Sequence, residues 1–91
     1  MRKIISNRIP FMIKMGLTEA IKWVEEAKKY KSNIYIHYNG TTVDSKKLPS
    51  TVSLFLTMKE KELLLIAEGE DAPVAIQDLT NILTSKLKTA M

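Results

Sequence analysis

Residues 30–83 read YKSNIYIHYNGTTVDSKKLPSTVSLFLTMKEKELLLIAEGEDAPVAIQDLTNIL, and the succession of patterns within them decides the fold. Ile34, Ile36 and Tyr38 alternate with Tyr35 and His37, the period-two signature of a strand with one covered face. Asn39-Gly40 follows, a pair that tolerates the two positive φ angles of a tight type I′ turn. A two-residue loop pairs Tyr38 with Thr41, His37 with Thr42 and Ile36 with Val43. Turn chemistry and hydrophobic pattern therefore demand the same register. Asp44, Ser45 and Lys46 read as a loop. Pro49 is tolerated only in the first turn of a helix, so the next helix begins near Lys47 and is short. Phe55 and Leu56 fall beyond it as core residues. The unbroken apolar run Leu63-Leu64-Leu65-Ile66-Ala67 predicts a central strand, ended by Gly69. Asp71 and Pro73 start a last helix, whose stripe of Ile76, Leu79, Ile82, Leu83 and Leu87 must pack on the sheet.

Towards the N-terminus, Ala20, Trp23, Val24, Ala27 and Tyr30 recur at three- and four-residue spacing. Lys22, Glu25, Glu26, Lys28 and Lys29 fill the opposite side, which predicts an amphipathic helix. Thr18 reads as its N-cap, with Glu19 in the first turn. Before it, roughly Lys3 to Ile13 reads as a strand. Pro10 cannot donate to a ladder, so that strand lies at a sheet edge or bends there. The order is β-α-β-β-α-β-α in one domain spanning residues 1–91. This is an α+β fold, with one sheet face under the two long helices and the other open.

Composition bounds the chemistry. With no cysteine there is no disulfide framework, thiolate nucleophile or cysteine metal site, which suits a cytoplasmic protein. No apolar run approaches the roughly 20 residues of a membrane span. The stretch RKIISNRIPFMIK is too polar and interrupted for a signal peptide. The net charge of +4 raises nucleic acid as a partner. The lysines, however, are interspersed with Glu25 and Glu26, the mixture of a solvated helix face. His37 is the only histidine. It stands mid-strand with no carboxylate or second histidine placed beside it, so no metal site, catalytic base or cofactor is expected.

The segment Ile34-Tyr35-Ile36-His37-Tyr38-Asn39-Gly40, with Val43, Leu48 through Leu56, Ile66-Ala67-Glu68-Gly69-Glu70-Asp71 and Ala75-Ile76, resembles HPr, the histidine phosphocarrier of the bacterial sugar phosphotransferase system. The likeness runs from about Tyr30 to Leu83 without a gap, and the Ala20-to-Tyr30 stripe extends it. It implies an open-faced β-sandwich on a four-stranded antiparallel sheet. It also implies a phosphotransfer site at the start of the first long helix, where the family motif reads Gly-Leu/Ile-His-Ala-Arg-Pro.

This chain departs from the family there, reading Gly16-Leu17-Thr18-Glu19-Ala20-Ile21. Matching the Gly-Leu pair puts Thr18 at the histidine position and Ala20 at the arginine position. The ungapped register puts Gly16 and Thr18 at those positions. Neither supplies an imidazole or a guanidinium. Phosphohistidine transfer needs a nitrogen nucleophile and free donors at the helix start, and Glu19 in the same turn repels phosphate. Thr18 could accept phosphate only on oxygen, with no base to activate it. The family's regulatory serine, just before the short helix, falls on Lys47, whose charge is opposite to that of a phosphoserine. Ser45, Ser50 and Ser53 are near but out of register.

The resemblance also implies a docking face for proteins of the phosphotransferase system. It would hold Leu17, Thr18, Lys47, Leu48, Ser50, Thr51 and Val52, with Met12 and Met15 as neighbours. The bland alternative is that Leu48 and Val52 only pack the short helix down. The resulting expectation is an HPr-like, non-enzymatic protein-binding or regulatory module without the carrier histidine. Two other readings stand beside it. One is a nucleic-acid binder using Tyr35 and His37 on the open sheet. The other is a phosphoacceptor working through Thr18.

Overall fold

Alternation along the strands sets the architecture. The computed structural model describes residues 3–11, 16–57 and 61–89. Its strands are β1 (Lys3–Phe11), β2 (Asn33–Tyr38), β3 (Thr41–Asp44) and β4 (Lys61–Gly69), and its helices α1 (Leu17–Ala27), α2 (Leu48–Thr57) and α3 (Ala72–Thr89). All strand pairs are antiparallel, in the order β1-β4-β2-β3. The hairpin forms as its turn dictates. Asn39 and Gly40 hold φ of 50° and 80°, and Tyr38 faces Thr41, His37 faces Thr42 and Ile36 faces Val43. β4 is central and covered on one face. Leu63, Leu65 and Ala67 are buried, while Leu64 and Ile66 turn to the other side and are half-buried. Pro10 sits on β1, an edge strand, opposite Glu62.

The helices lie on the face carrying Ile9, Ile34, Ile36, Leu63, Leu65 and Ala67, with which Trp23, Phe55 and Leu79 form one buried cluster. α3 packs on β1 and β4, and α1 packs mainly on α2. α2 also touches β3 and buries Leu54 and Phe55, so it shares the cover with the two longer helices. The Trp23 and Phe55 rings meet in a tilted arrangement with centroids 6.3 Å apart. Each aromatic ring buries enough apolar surface to contribute several kcal/mol, so the α1–α2 contact is a principal source of cohesion.

Several expectations are corrected. Pro49 does occupy the first turn of α2, but the helix continues to Thr57 and so contains Phe55 and Leu56. Phe55 is buried, whereas Leu56 is 46% exposed, one residue further round the helix and on its outer side. Ile82 is 38% exposed rather than packed on the sheet, because Leu79 and Leu83 already fill the inward face of α3. Asp44 ends β3 instead of opening a loop. Ile13, expected in the first strand, and the Leu87 side chain lie outside the described residues.

One corner ties the sheet to α3. The Asp71 carboxylate accepts the Lys31 and Ser32 N–H groups, both at 2.9 Å, and the Ser32 hydroxyl. The Ser32 hydroxyl, with the Lys31 N–H next, holds this carboxyl below its ordinary value. Gly69 passes against Ser32 with φ +152°, and a Cβ there would lie 2.7 Å from Ser32 Cα. Nearby, the Tyr30 hydroxyl donates to Asp78 at 2.7 Å. Burial first, and that carboxylate second, push the Tyr30 phenol up to about 12.

Candidate functional site

At the start of α1 the cap is Gly16, in extended conformation at φ −104° and ψ −164°. Thr18, expected as the cap, is the exposed second residue of the helix. The helix reaches back to Gly16 because Glu19 closes its first turn. The Glu19 Oε1 accepts the Gly16 N–H at 3.0 Å, and the Ala20 N–H donates to the Gly16 carbonyl at 3.1 Å. A carboxylate next to the positive helix end is electrostatically favourable, and it spends on itself a donor that an anion would otherwise use.

Ala20 is buried in the core, so it is not a surface position. His37 stands apart, mid-strand on the open face, with Nδ1 2.7 Å from Thr42 Oγ1. Among the described residues no group of three or more histidines or carboxylates converges as a metal site would require.

α2 packs on α1. Lys47 is exposed, and its carbonyl accepts the Thr51 N–H at 3.2 Å, opening the helix. The Asp44 carboxylate accepts the Lys46 N–H at 2.9 Å, and the Lys46 ammonium donates to the Tyr30 carbonyl at 2.7 Å. Ser45 is fully buried, so its hydroxyl is closed to a kinase in this conformation. Thr51 is buried too, its hydroxyl donating to the Asp44 carbonyl at 3.3 Å. Of the expected docking residues, Leu17, Thr18, Lys47, Leu48 and Ser50 are exposed, Val52 is half-buried and Thr51 faces inward. Met12 and Met15 lie outside the described residues.

Two further apolar side chains of these helices are exposed: Ile21, which no pattern singled out, and Leu56, expected in the core. Ile21 and Leu56 are 38% and 46% exposed. The signal was present in the spacing, since Leu17–Ile21 and Leu48–Val52–Leu56 are rows of residues four apart, each on one side of its helix. The core stripes that these rows flank, Ala20-Trp23-Val24-Ala27 and Thr51-Leu54-Phe55, are stronger and mask them.

A β-α-β-β-α-β-α chain with this sheet order is a specific topology, and the family model for the PTS HPr component phosphorylation site matches residues 15–85. The chain belongs to the HPr family. The phosphocarrier protein HPr of Buchnera aphidicola subsp. Schizaphis graminum is 40% identical over 65 residues, covering 71% of this chain and 75% of that protein. The HPr-like protein Crh of Bacillus subtilis is 29% identical over 77 residues, covering 82% and 89%. Among solved structures, the HPr of Thermoanaerobacter tengcongensis superposes with a TM-score of 0.80 at 28% identity, covering 92% of this chain and 96% of that one. The open-faced α+β architecture expected from the sequence is thus the HPr fold. HPr proteins are phosphocarriers of the phosphotransferase system rather than catalysts. No described helix is long and apolar enough to cross a membrane.

Proposed function

We propose that this chain is an HPr-family protein that does not carry phosphate and acts in the cytoplasm as a protein-binding or regulatory module. The observation that carries this reading is the start of α1. The cap position, which in the family bears the phosphorylated histidine, is Gly16 here, and Glu19 engages its N–H. This supports the register with Gly16 at the histidine position and Thr18 at the arginine position. No side chain in that turn can form a phosphoramidate. The chain's one imidazole is on the open sheet face, where it is bonded to Thr42. Thr18 as an oxygen acceptor would need a base, and Glu19, the carboxylate of its turn, is already committed to the Gly16 N–H.

The regulatory position falls on Lys47 in the same register, so that switch is absent as well. What remains is the surface. Leu17, Thr18 and Ile21 on α1, with Lys47, Leu48, Ser50, Val52 and Leu56 on α2, would form a docking face across the packed helix pair. Exposed aliphatic side chains with a polar rim suit a transient protein contact. The partners would be those of the phosphotransferase system. A regulatory role finds support in the likeness to the Bacillus subtilis protein described as catabolite repression HPr, 27% identical with a TM-score of 0.63. The open face offers little to a nucleic acid. Beside Tyr35 and His37 it presents Arg8, which is 3.5 Å from Glu62, together with Glu68, so its phosphate-neutralising charge is largely cancelled.

The test is intact mass after incubation with phosphoenolpyruvate and the system's first enzyme, and separately with ATP and the kinase that acts on HPr serine. A phosphorylatable HPr runs alongside as a positive control. An unchanged mass in both reactions is expected. A phosphoryl group on Thr18 or on any serine would overturn the reading.

A further inference from the structure

The open face of the sheet plays no part in the function proposed above. The strand registers set its side chains in rows that cross the strands. One row is Arg8–Leu64–His37–Thr42 and the next is Ser6–Ile66–Tyr35–Asp44, with Ile4–Glu68–Asn33 beyond it. Ile4 is 68% exposed, and Leu64, Ile66 and Tyr35 each keep part of their surface in water. These side chains meet as one apolar band, since Tyr35 is directly opposite Ile66 and Ile4 is diagonal to it. Charge surrounds the band, with Arg8 on the β1 edge, Asp44 on the β3 edge, and Glu68 and Glu62 towards the two ends of β4.

We propose that this face binds the same face of a second copy, about a two-fold axis that runs along the strands between β4 and β2. That axis lays β1 over β3 of the second copy, and β4 over its β2. Each row then falls on itself in reverse order. Ile66 packs on Tyr35 and Leu64 on His37, Glu68 meets the Asn33 amide, and Arg8 lies over Thr42 with Asp44 one row on. No like charges face each other. An axis laid across the strands instead stacks Glu68 on Glu62, Arg8 on Arg8 or Asp44 on Asp44, according to the row it crosses, and each of these pairs repels. Twisted sheets pack face to face about 10 Å apart and within about 30° of each other. With strands about 4.8 Å apart and about 3.3 Å of rise per residue, the overlap is roughly 400 Å² per copy, about half of a standard interface. The dimer is therefore weak, with a Kd of about 0.1–1 mM. The helices cover the other face of the sheet, so the α1–α2 surface of each copy stays outward.

The test follows the whole chain by sedimentation equilibrium and by nitrogen-15 spectra, from about 20 μM to about 2 mM so as to bracket that Kd. The mean mass should climb from 10.3 kDa towards twice that value. Because the chain has no cysteine, Thr42→Cys can carry a single nitroxide. Mixed with nitrogen-15 chain, the nitroxide should broaden the Ser6 and Arg8 amides across the interface. Ile66→Lys should abolish both the rise in mass and the broadening while its spectrum stays folded. A monomer throughout would leave the face to solvent or to a different protein, and would overturn the proposal. So would undiminished association of a folded Ile66→Lys chain, or broadening confined to β3 or to the helices of the second copy.

Discussion

At the start of α3 the Asp71 carboxylate reaches across the fold to Lys31 and Ser32, some forty residues away in sequence. At the start of α1, Gly16 is bonded to Glu19 and Ala20, three and four residues on. The first arrangement joins three segments, because Gly69 must also pass against Ser32 for the carboxylate to arrive. The second closes a single turn and asks nothing of the rest of the chain. Long-range ties concentrate stability, whereas local ties leave a site free to change its side chains without disturbing the core. On the assignment proposed above, the positions matching the family motif lie at this locally tied helix start.

The comparison predicts, first, that the start of α1 can be rewritten. Gly16 has φ and ψ open to any residue, and an added Cβ would lie 3.3 Å from the flexible end of Glu19. The double variant Gly16→His with Thr18→Arg should therefore fold and gain a phosphoryl group from phosphoenolpyruvate and the first enzyme, where the parent chain gains none. Mass spectrometry reads this as an all-or-nothing change. If Thr18→His with Ala20→Arg took the phosphate instead, the site would follow the Gly-Leu match, and the cap-based correspondence would be wrong.

At the other helix start, alteration should cost the fold. Gly69→Ala must adopt φ +152° and push its Cβ into Ser32, for a loss of about 3 kcal/mol in urea unfolding followed by Trp23 fluorescence. Asp71→Ala strands the Ser32 N–H and hydroxyl inside the fold, at about 1–3 kcal/mol. This carboxyl also gives the acid limb of stability a definite sign. Its folded value is depressed, so on acidification the unfolded chain takes up the proton first. Its contribution is fully present above the ordinary carboxylate range and is lost as pH falls through the lower folded value. Asp71→Asn should flatten that limb of the stability–pH curve. An unchanged acid limb would mean that other carboxyls dominate, and the contrast between the helix starts would weaken.

The same contrast explains what the sequence could say. Elements with strong periodicity, or with a turn of fixed chemistry, were legible. The Asn39-Gly40 hairpin appears in the register read from its two residues and its alternation, and β4 is central as its apolar run requires. Boundaries governed by one side chain were not. Thr18 looks like a cap by residue type, but Glu19 bonding to Gly16 moves the start two residues earlier. Leu56 is as apolar as any core residue, and only its angle round α2, invisible until the helix is known to pass Phe55, puts it outside. The Asp71–Ser32 tie could not be read at all, because it depends on tertiary approach between segments that local patterns do not connect.

The smallest effect is expected at Glu19, and its two variants separate charge from hydrogen bonding. Glu19→Ala removes both the acceptor for the Gly16 N–H and the negative charge in the first turn, for a loss of about 0.5–1 kcal/mol. Glu19→Gln keeps an acceptor and loses the charge, so it should cost only a few tenths of a kcal/mol, and that cost should shrink as salt screens the helix dipole. If Glu19→Ala instead destabilised the chain as much as Asp71→Ala, the start of α1 would be tied into the core. Local tethering would then no longer distinguish this helix start from that of α3.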